Sequence, residues 1–265
     1  MGKKILYLII PVFFILLFVC IQVCEKPNIE RLNFLQIYLT DNIYAKWQNK
    51  LKQIPKDEWQ IVDYDTLKNE LNFIEQKFVE KIFEIKPSEI GFMGPFYSLE
   101  KPENLVKIPS FTLPEAEDGK TLPAKYCPEH SYADFIRMTD SMYSEIGKRV
   151  YINSGYRSPG RQAYGFFDDL VMERNDYSLL KTAKWVAMPG YSEHNSGVNN
   201  AIDLINRAGI SGEDPGQKAE DFEILPEYEW LLKNAAKFNF YLTYPRGNNL
   251  GVQFEPWHWH WEKKN

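Results

Sequence analysis

The chain has 265 residues, 44% hydrophobic and 25% charged, with a formal net charge of −5. That leaves room for one or two domains, and it excludes nucleic acid as a partner, because no long basic stripe exists to neutralise phosphates. Aromatic residues reach 15%, which suits a well-filled core or a groove that grips a ligand.

The first predicted element is apolar. After MGKK comes Ile5 to Cys24 without a charged residue, about 20 residues and enough to cross a bilayer as a helix. Lys3 and Lys4 precede it, so the positive-inside rule sends the rest of the chain across the membrane. A cleaved signal peptide needs a shorter apolar core and an A-x-A-like site. A lipoprotein signal needs a small residue before its cysteine, yet Val19 and Val23 precede Cys20 and Cys24. The expectation is an uncleaved, single-pass anchor over 1–27, with a removed or lipid-modified leader as the alternative. Cys127 is then the one cysteine outside the anchor, so no intrachain disulfide framework is expected, and it is assigned no chemistry.

A helical and irregular membrane-proximal region over 28–104 is expected next. Asn28 to Lys52 reads as a polar, mixed helix. Leu67, Leu71, Ile74, Phe78 and Ile82 recur at one-face helical spacing, predicting a helix over Asp65 to Ile85 with Glu70, Glu75 and Lys77 off that face. Prolines and glycines from Lys86 to Pro128 predict an irregular wrapping segment. His130 to Lys148 reads as a helix with Phe135, Ile136, Met142 and Ile146 inward, and Arg149 to Ser154 as a strand. Ser158-Pro159 is an N-cap followed by proline at the first helical position, with Ala163, Phe166, Phe167 and Leu170 on the inner face. A strand at Ala201 to Ile205, a helix from Pro226 to Lys237 and strands at Phe240 to Tyr244 and Val252 to Trp261 complete the order. Strands and helices do not alternate as in a wound parallel sheet. The predicted class is α+β, a mainly antiparallel sheet with packed helices.

Two stretches carry chemistry. PGYSEHNSGVNNAIDL holds His194 and Asp203, and EPWHWHW holds Glu255, His258 and His260. A catalytic zinc takes three protein ligands and keeps one position open for water. His194, Asp203 and His258 would supply two imidazoles and a carboxylate, with Glu255 as the base. Asp203 sits in the apolar run Ala201-Ile202-x-Leu204, where an uncompensated carboxylate is costly; a cation is the simplest compensation, and a hydrogen-bonded turn is the rival. In an extended strand His258 and His260 share one face, and Trp257, Trp259 and Trp261 the other. Periodicity does not choose between the histidines. The tryptophans read as sheet packing, with Trp257 also placed to line a cleft.

Five strings then occur in order: SGYRSPGRQ (154–162), PGYSEHNSG (189–197), AID (201–203), YPRGN (244–248) and EPWHW (255–259). Together they resemble the VanY-type D-alanyl-D-alanine carboxypeptidases, LAS-type zinc peptidases of peptidoglycan, over roughly Leu105 to Trp261. The resemblance implies a DD-peptidase/hedgehog-like fold and a catalytic domain over 105–265. It implies one zinc ion per chain held by His194, Asp203 and His258, with Glu255 as catalytic base. It assigns Arg157 to the substrate carboxylate or developing oxyanion, work that suits a planar guanidinium, and Gln162 and Ser192 to substrate-facing positions. His260 is left to contact substrate, orient a neighbour or lie as a satisfied surface histidine. One departure stands out. Eight residues separate His194 from Asp203, where the family pattern has six; a bulge at Asn199-Asn200 in left-handed conformation would absorb the excess.

The implied activity is zinc-dependent removal of the terminal D-alanine from peptidoglycan stem peptides, outside the cytoplasmic membrane. The alternatives are an endopeptidase or D,D-dipeptidase of the same fold, and a non-catalytic wall-binding relative whose altered loop no longer supports turnover.

Overall fold

The computed structural model describes residues 25–264; the expected anchor helix lies outside the described residues. Among the described residues no helix is long and apolar enough to cross a membrane. Helices and antiparallel strands make an α+β fold. Helix α1 spans Phe34–Lys52, α2 Tyr64–Lys68 and α3 Phe73–Phe83. Strands β1 (Leu105–Ile108) and β4 (Lys125–Pro128) form one small antiparallel ladder, β2 (Phe111–Thr112) and β3 (Thr121–Leu122) another. Helix α4 spans Glu129–Ile146, β5 Val150–Ser154, α5 Pro159–Leu170, α6 Leu179–Thr182 and β6 Ala201–Asn206. Helices α7 (Ala219–Glu223) and α8 (Pro226–Asn234) precede β7 (Phe240–Leu242) and β8 (His258–Trp261). The main sheet has the order β5-β6-β8-β7, antiparallel throughout.

Several expectations need correction. The helix expected over Asp65 to Ile85 is two helices. Asn72 accepts from Glu75 N while Glu75 accepts from Asn72 N, a capping box that starts α3 afresh. The restart resets the helical phase. Ile74 therefore points outward, and Glu75 is buried and paired with Lys46 at 2.6 Å. In α4 the buried stripe is Ser131, Asp134, Phe135, Met138, Thr139 and Met142. Ile136 is off that stripe, and Ile146 is the last helical residue before left-handed Gly147, so both are exposed. The wrapping segment holds four short strands that its prolines conceal. The last strand begins at His258, because residues 256 and 257 form a turn.

The sheet separates two environments by its period of two. Val150, Ile152, Ile202, Leu204, Trp259 and Trp261 join one core with Phe135, Met138 and Met142 of α4 and Leu231 of α8. Asp203 and His258 face the other way, directly opposite each other in the β6–β8 register. A second core joins α1 and α3 to α5: Trp47, Phe78 and Ile82 pack with Phe166, Phe167 and Leu170. Cys127 is fully buried, and burial pushes its thiol up to about 12.

Candidate metal centre and cleft

Strand pairing brings Asp203 to His258, and a backbone clamp brings His194 to both. Ser192 caps a short 3-10 turn over Glu193–Asn195. Arg157 N donates to His194 O at 2.9 Å, and Asn195 Nδ2 donates to Arg157 O at 2.6 Å. The turn is thus fastened to the loop between β5 and α5. That loop needs Gly155, since a Cβ there would meet Tyr126 O at 2.3 Å. Gly155 in turn offers its carbonyl to His194 Nδ1 at 2.7 Å. One donor atom from each of His194, Asp203 and His258 lies within 4.8 Å of the others, and all three residues are buried.

The two extra residues do not separate His194 from Asp203. Neither Asn199 nor Asn200 adopts a positive φ, so the left-handed bulge expected there is absent. The Ser196 hydroxyl accepts instead from Val198 N at 3.2 Å and Asn199 N at 3.0 Å. His130 Nε2 donates to Val198 O at 2.9 Å. The excess bulges outward at exposed Val198, and Asn200 returns fully buried.

Protonation follows from the partners. A carbonyl only accepts, so His194 Nδ1 carries the proton and Nε2 presents a lone pair. Burial, then the charge of Arg157, push His194 down to about 4, so the ring is neutral. Among the described residues its buried Nε2 has no hydrogen-bond partner, yet it stands 3.1 Å from Asp203 Oδ2. Two acceptors face each other with no proton between them. Asp203 Oδ1 is 2.9 Å from His258 Nδ1, and Arg157 pairs with Asp203 Oδ2. Burial opposes ionisation of Asp203, but the charge of Arg157 and the hydrogen bond to His258 hold its carboxyl well below the usual range. Burial alone would lower His258; hydrogen bonds to Asp203 and to Glu193, the latter at 2.7 Å from Nε2, raise it to about 10. The arrangement therefore already gathers positive charge around Asp203. A divalent cation fits it: it would satisfy the orphaned His194 Nε2 and replace the second proton of His258 at Nδ1. Two imidazoles and a carboxylate are a donor set that suits zinc.

Glu255 is buried, with Oε2 3.8 Å from His258 Nδ1. Burial, more than any charge, pushes its carboxyl up to about 8. Arg157, Gln162, Ser192, His194, Asp203, Glu255 and His258 all line one cleft of about 530 Å³. Arg157 Nε donates to Ser154 Oγ at 2.8 Å, which fixes the guanidinium plane. Gln162 Nε2 donates to Ala187 O at 2.8 Å, and its Oε1 is buried without a partner among the described residues. Trp257 packs in the core and also lines this cleft. His260 lies outside the donor cluster, with Nδ1 2.8 Å from Thr243 Oγ1.

Sequence reasoning gave no role to Glu193, although it stands inside the quoted SEH string. Its carboxylate is buried and takes His258 Nε2, Thr243 Oγ1 (2.7 Å) and Tyr97 OH (3.1 Å). Adjacency to His194 was the one available signal. Its contact with His258 crosses 65 residues and leaves no mark in spacing.

Comparison with known proteins agrees with the motifs. The D-alanyl-D-alanine carboxypeptidase of Enterococcus faecium is 33% identical over 109 residues, which is 40% of this chain and 28% of that protein. The D-alanyl-D-alanine carboxypeptidase of Enterococcus faecalis is 33% identical over 116 residues, 41% of this chain and 38% of that protein. The matches thus span well under two thirds of these relatives. Among solved structures, the LD-carboxypeptidase LdcB aligns at 27% identity and TM-score 0.47, covering 61% of this chain and 69% of that one. VanYB in complex with D-alanine-D-alanine aligns at 20% and 0.44, covering 63% and 81%. Both TM-scores lie under one half, so the family assignment stands on sequence. The family model described as VanY, D-alanyl-D-alanine carboxypeptidase, matches residues 126–264, more than half of the chain. By that match the chain belongs to the VanY family of D-alanyl-D-alanine carboxypeptidases.

Proposed function

We propose that the chain is a zinc-dependent D,D-carboxypeptidase that removes the terminal D-alanine from peptidoglycan stem peptides, held at the outer side of the cell membrane by its N-terminal segment. The observation that carries this reading is the unpartnered His194 Nε2 facing Asp203 Oδ2 at 3.1 Å, with His258 paired to the same carboxylate. His194, Asp203 and His258 would hold the zinc, which supplies a Lewis acid for the scissile carbonyl and for the attacking water.

The chain's own groups do the rest. Glu255, raised by burial, accepts a proton from the attacking water and delivers one to the departing amine. Arg157, fixed by Ser154, offers N–H donors to the developing oxyanion or to the substrate carboxylate. Gln162 and Ser192, which line the cleft, would serve as polar contacts for the peptide.

The test is product analysis on a defined pentapeptide stem. The expected result is released D-alanine and a tetrapeptide, abolished by a chelator and restored by zinc. Cleavage at another link with the same metal dependence would reassign the bond as that of an endopeptidase or D,D-dipeptidase. Zinc uptake without cleavage would leave a wall-binding relative.

A further inference from the structure

The segment 91–102 precedes the residues matched by the family, yet it touches both halves of the centre. Met93 N donates to Leu250 O at 2.9 Å, on the approach to Glu255. Tyr97 N donates to Gly190 O at 2.7 Å, on the loop that carries His194. Phe92 and Phe96 meet the Tyr191 ring edge-on at 6.3 and 5.4 Å. Gly190 has φ +85°, and a Cβ there would come within 2.6 Å of the Phe96 ring. The segment therefore lies against its loop too closely to be an independent tether.

We propose that Tyr97 on this strap is a positioning residue for the metal centre, acting through Glu193 on His258. The proposal rests on the zinc reading above. Glu193 has two oxygens with different duties. Oε2 receives His258 Nε2 and Thr243 Oγ1, both at 2.7 Å, and Oε1 receives the Tyr97 hydroxyl at 3.1 Å. The Thr243 hydroxyl has one proton and gives it to Glu193, so His260 Nδ1 donates to Thr243 at 2.8 Å. A continuous chain thus runs from His260 through Thr243 to Glu193. Tyr97 closes it from the other side. With both oxygens held, the carboxylate cannot rotate, and His258 keeps its proton on Nε2 and its Nδ1 toward Asp203. Partners that orient a ligating histidine in this way commonly govern metal affinity by 10–100-fold. Tyr97 supplies one of three bonds to such a partner, so a smaller effect belongs to it.

Zinc affinity of the full chain, measured by competition with a chromophoric chelator, tests this. Tyr97→Phe removes one hydroxyl and keeps the ring. The expected loss is about three- to tenfold in zinc affinity, with a shifted visible spectrum of the cobalt-substituted protein. Thr243→Val should weaken zinc comparably from the opposite side. In Tyr97→Phe/Glu193→Gln the losses should not add, because Tyr97 acts through Glu193. A Tyr97→Phe protein with unaltered affinity and cobalt spectrum would overturn the proposal, as would additive losses in the double variant. A parent chain that takes up no zinc would overturn the zinc reading itself, and this proposal with it.

Discussion

Glu255 sits in the cleft with its carboxylate clear of any hydrogen-bond donor among the described residues. That suits a group that must take a proton and give it back. Glu255→Gln should keep zinc bound and lose about 10²–10⁴ in kcat; steady-state kinetics with metal analysis check it, and full activity in a zinc-loaded variant would remove Glu255 as base. Lys125 poses a different question, one of stability. It is buried without an ion-pair partner among the described residues, and burial pushes its ammonium down to about 8 from an ordinary 10.5. Between those values the unfolded chain binds a proton that the folded chain has released, so stability rises with pH across that window. Lys125→Met should therefore exceed the parent by roughly 1–3 kcal/mol below pH 8, with the gap closing toward pH 10.5. Melting curves of both proteins at pH 7 and pH 10 give the comparison, and a constant gap would contradict it. The cluster of His194, Asp203 and His258 was legible because each lies in a distinctive string. Glu193, Thr243 and Tyr97 were not, because the bonds that join them to one another and Glu193 to His258 run between residues far apart in the chain. Lys125 was equally silent, since nothing in its neighbours announces burial.

Elements were legible where one apolar stripe runs unbroken, as in α5, whose Ala163, Phe166, Phe167 and Leu170 are all fully buried. They failed where a polar side chain outweighs the stripe. Helix α2 stops at Lys68 and Asn72 begins another, and no count of apolar spacings registers a capping bond. Asn72→Ala should cost about 1 kcal/mol through the lost cap. Chemical denaturation should then shift the midpoint without changing the slope; an unchanged midpoint would mean the box contributes nothing. The turn at 256–257 is a similar case. Residues 256 and 257 turn, so β8 begins at His258, which pairs with Asp203. The extra residues before β6 were visible as a departure, but their outward path depends on Ser196 and on His130, 66 residues upstream.

Across the whole molecule, the helices before residue 92 and the helix after the SGYRS string share one core. Trp47 meets Phe167 edge-on at 4.9 Å and donates to Leu67 O at 2.9 Å. Removing that indole should be felt beyond its own helix. Trp47→Ala should cost about 3–5 kcal/mol, and α1 and the cleft should unfold in one transition; two resolved transitions would mean separate units. The spread of this core was not legible in the sequence, because α1 is polar in overall pattern and buries a narrow stripe. Convergence of two imidazoles and one carboxylate on a single ion remains the claim on which the rest depends. Zinc K-edge X-ray absorption of the loaded full chain addresses it most directly. The account predicts one zinc per chain in a four-coordinate shell of nitrogen and oxygen at about 2.0–2.2 Å, with two imidazoles resolved. A shell without imidazole, or no zinc retained, would contradict it.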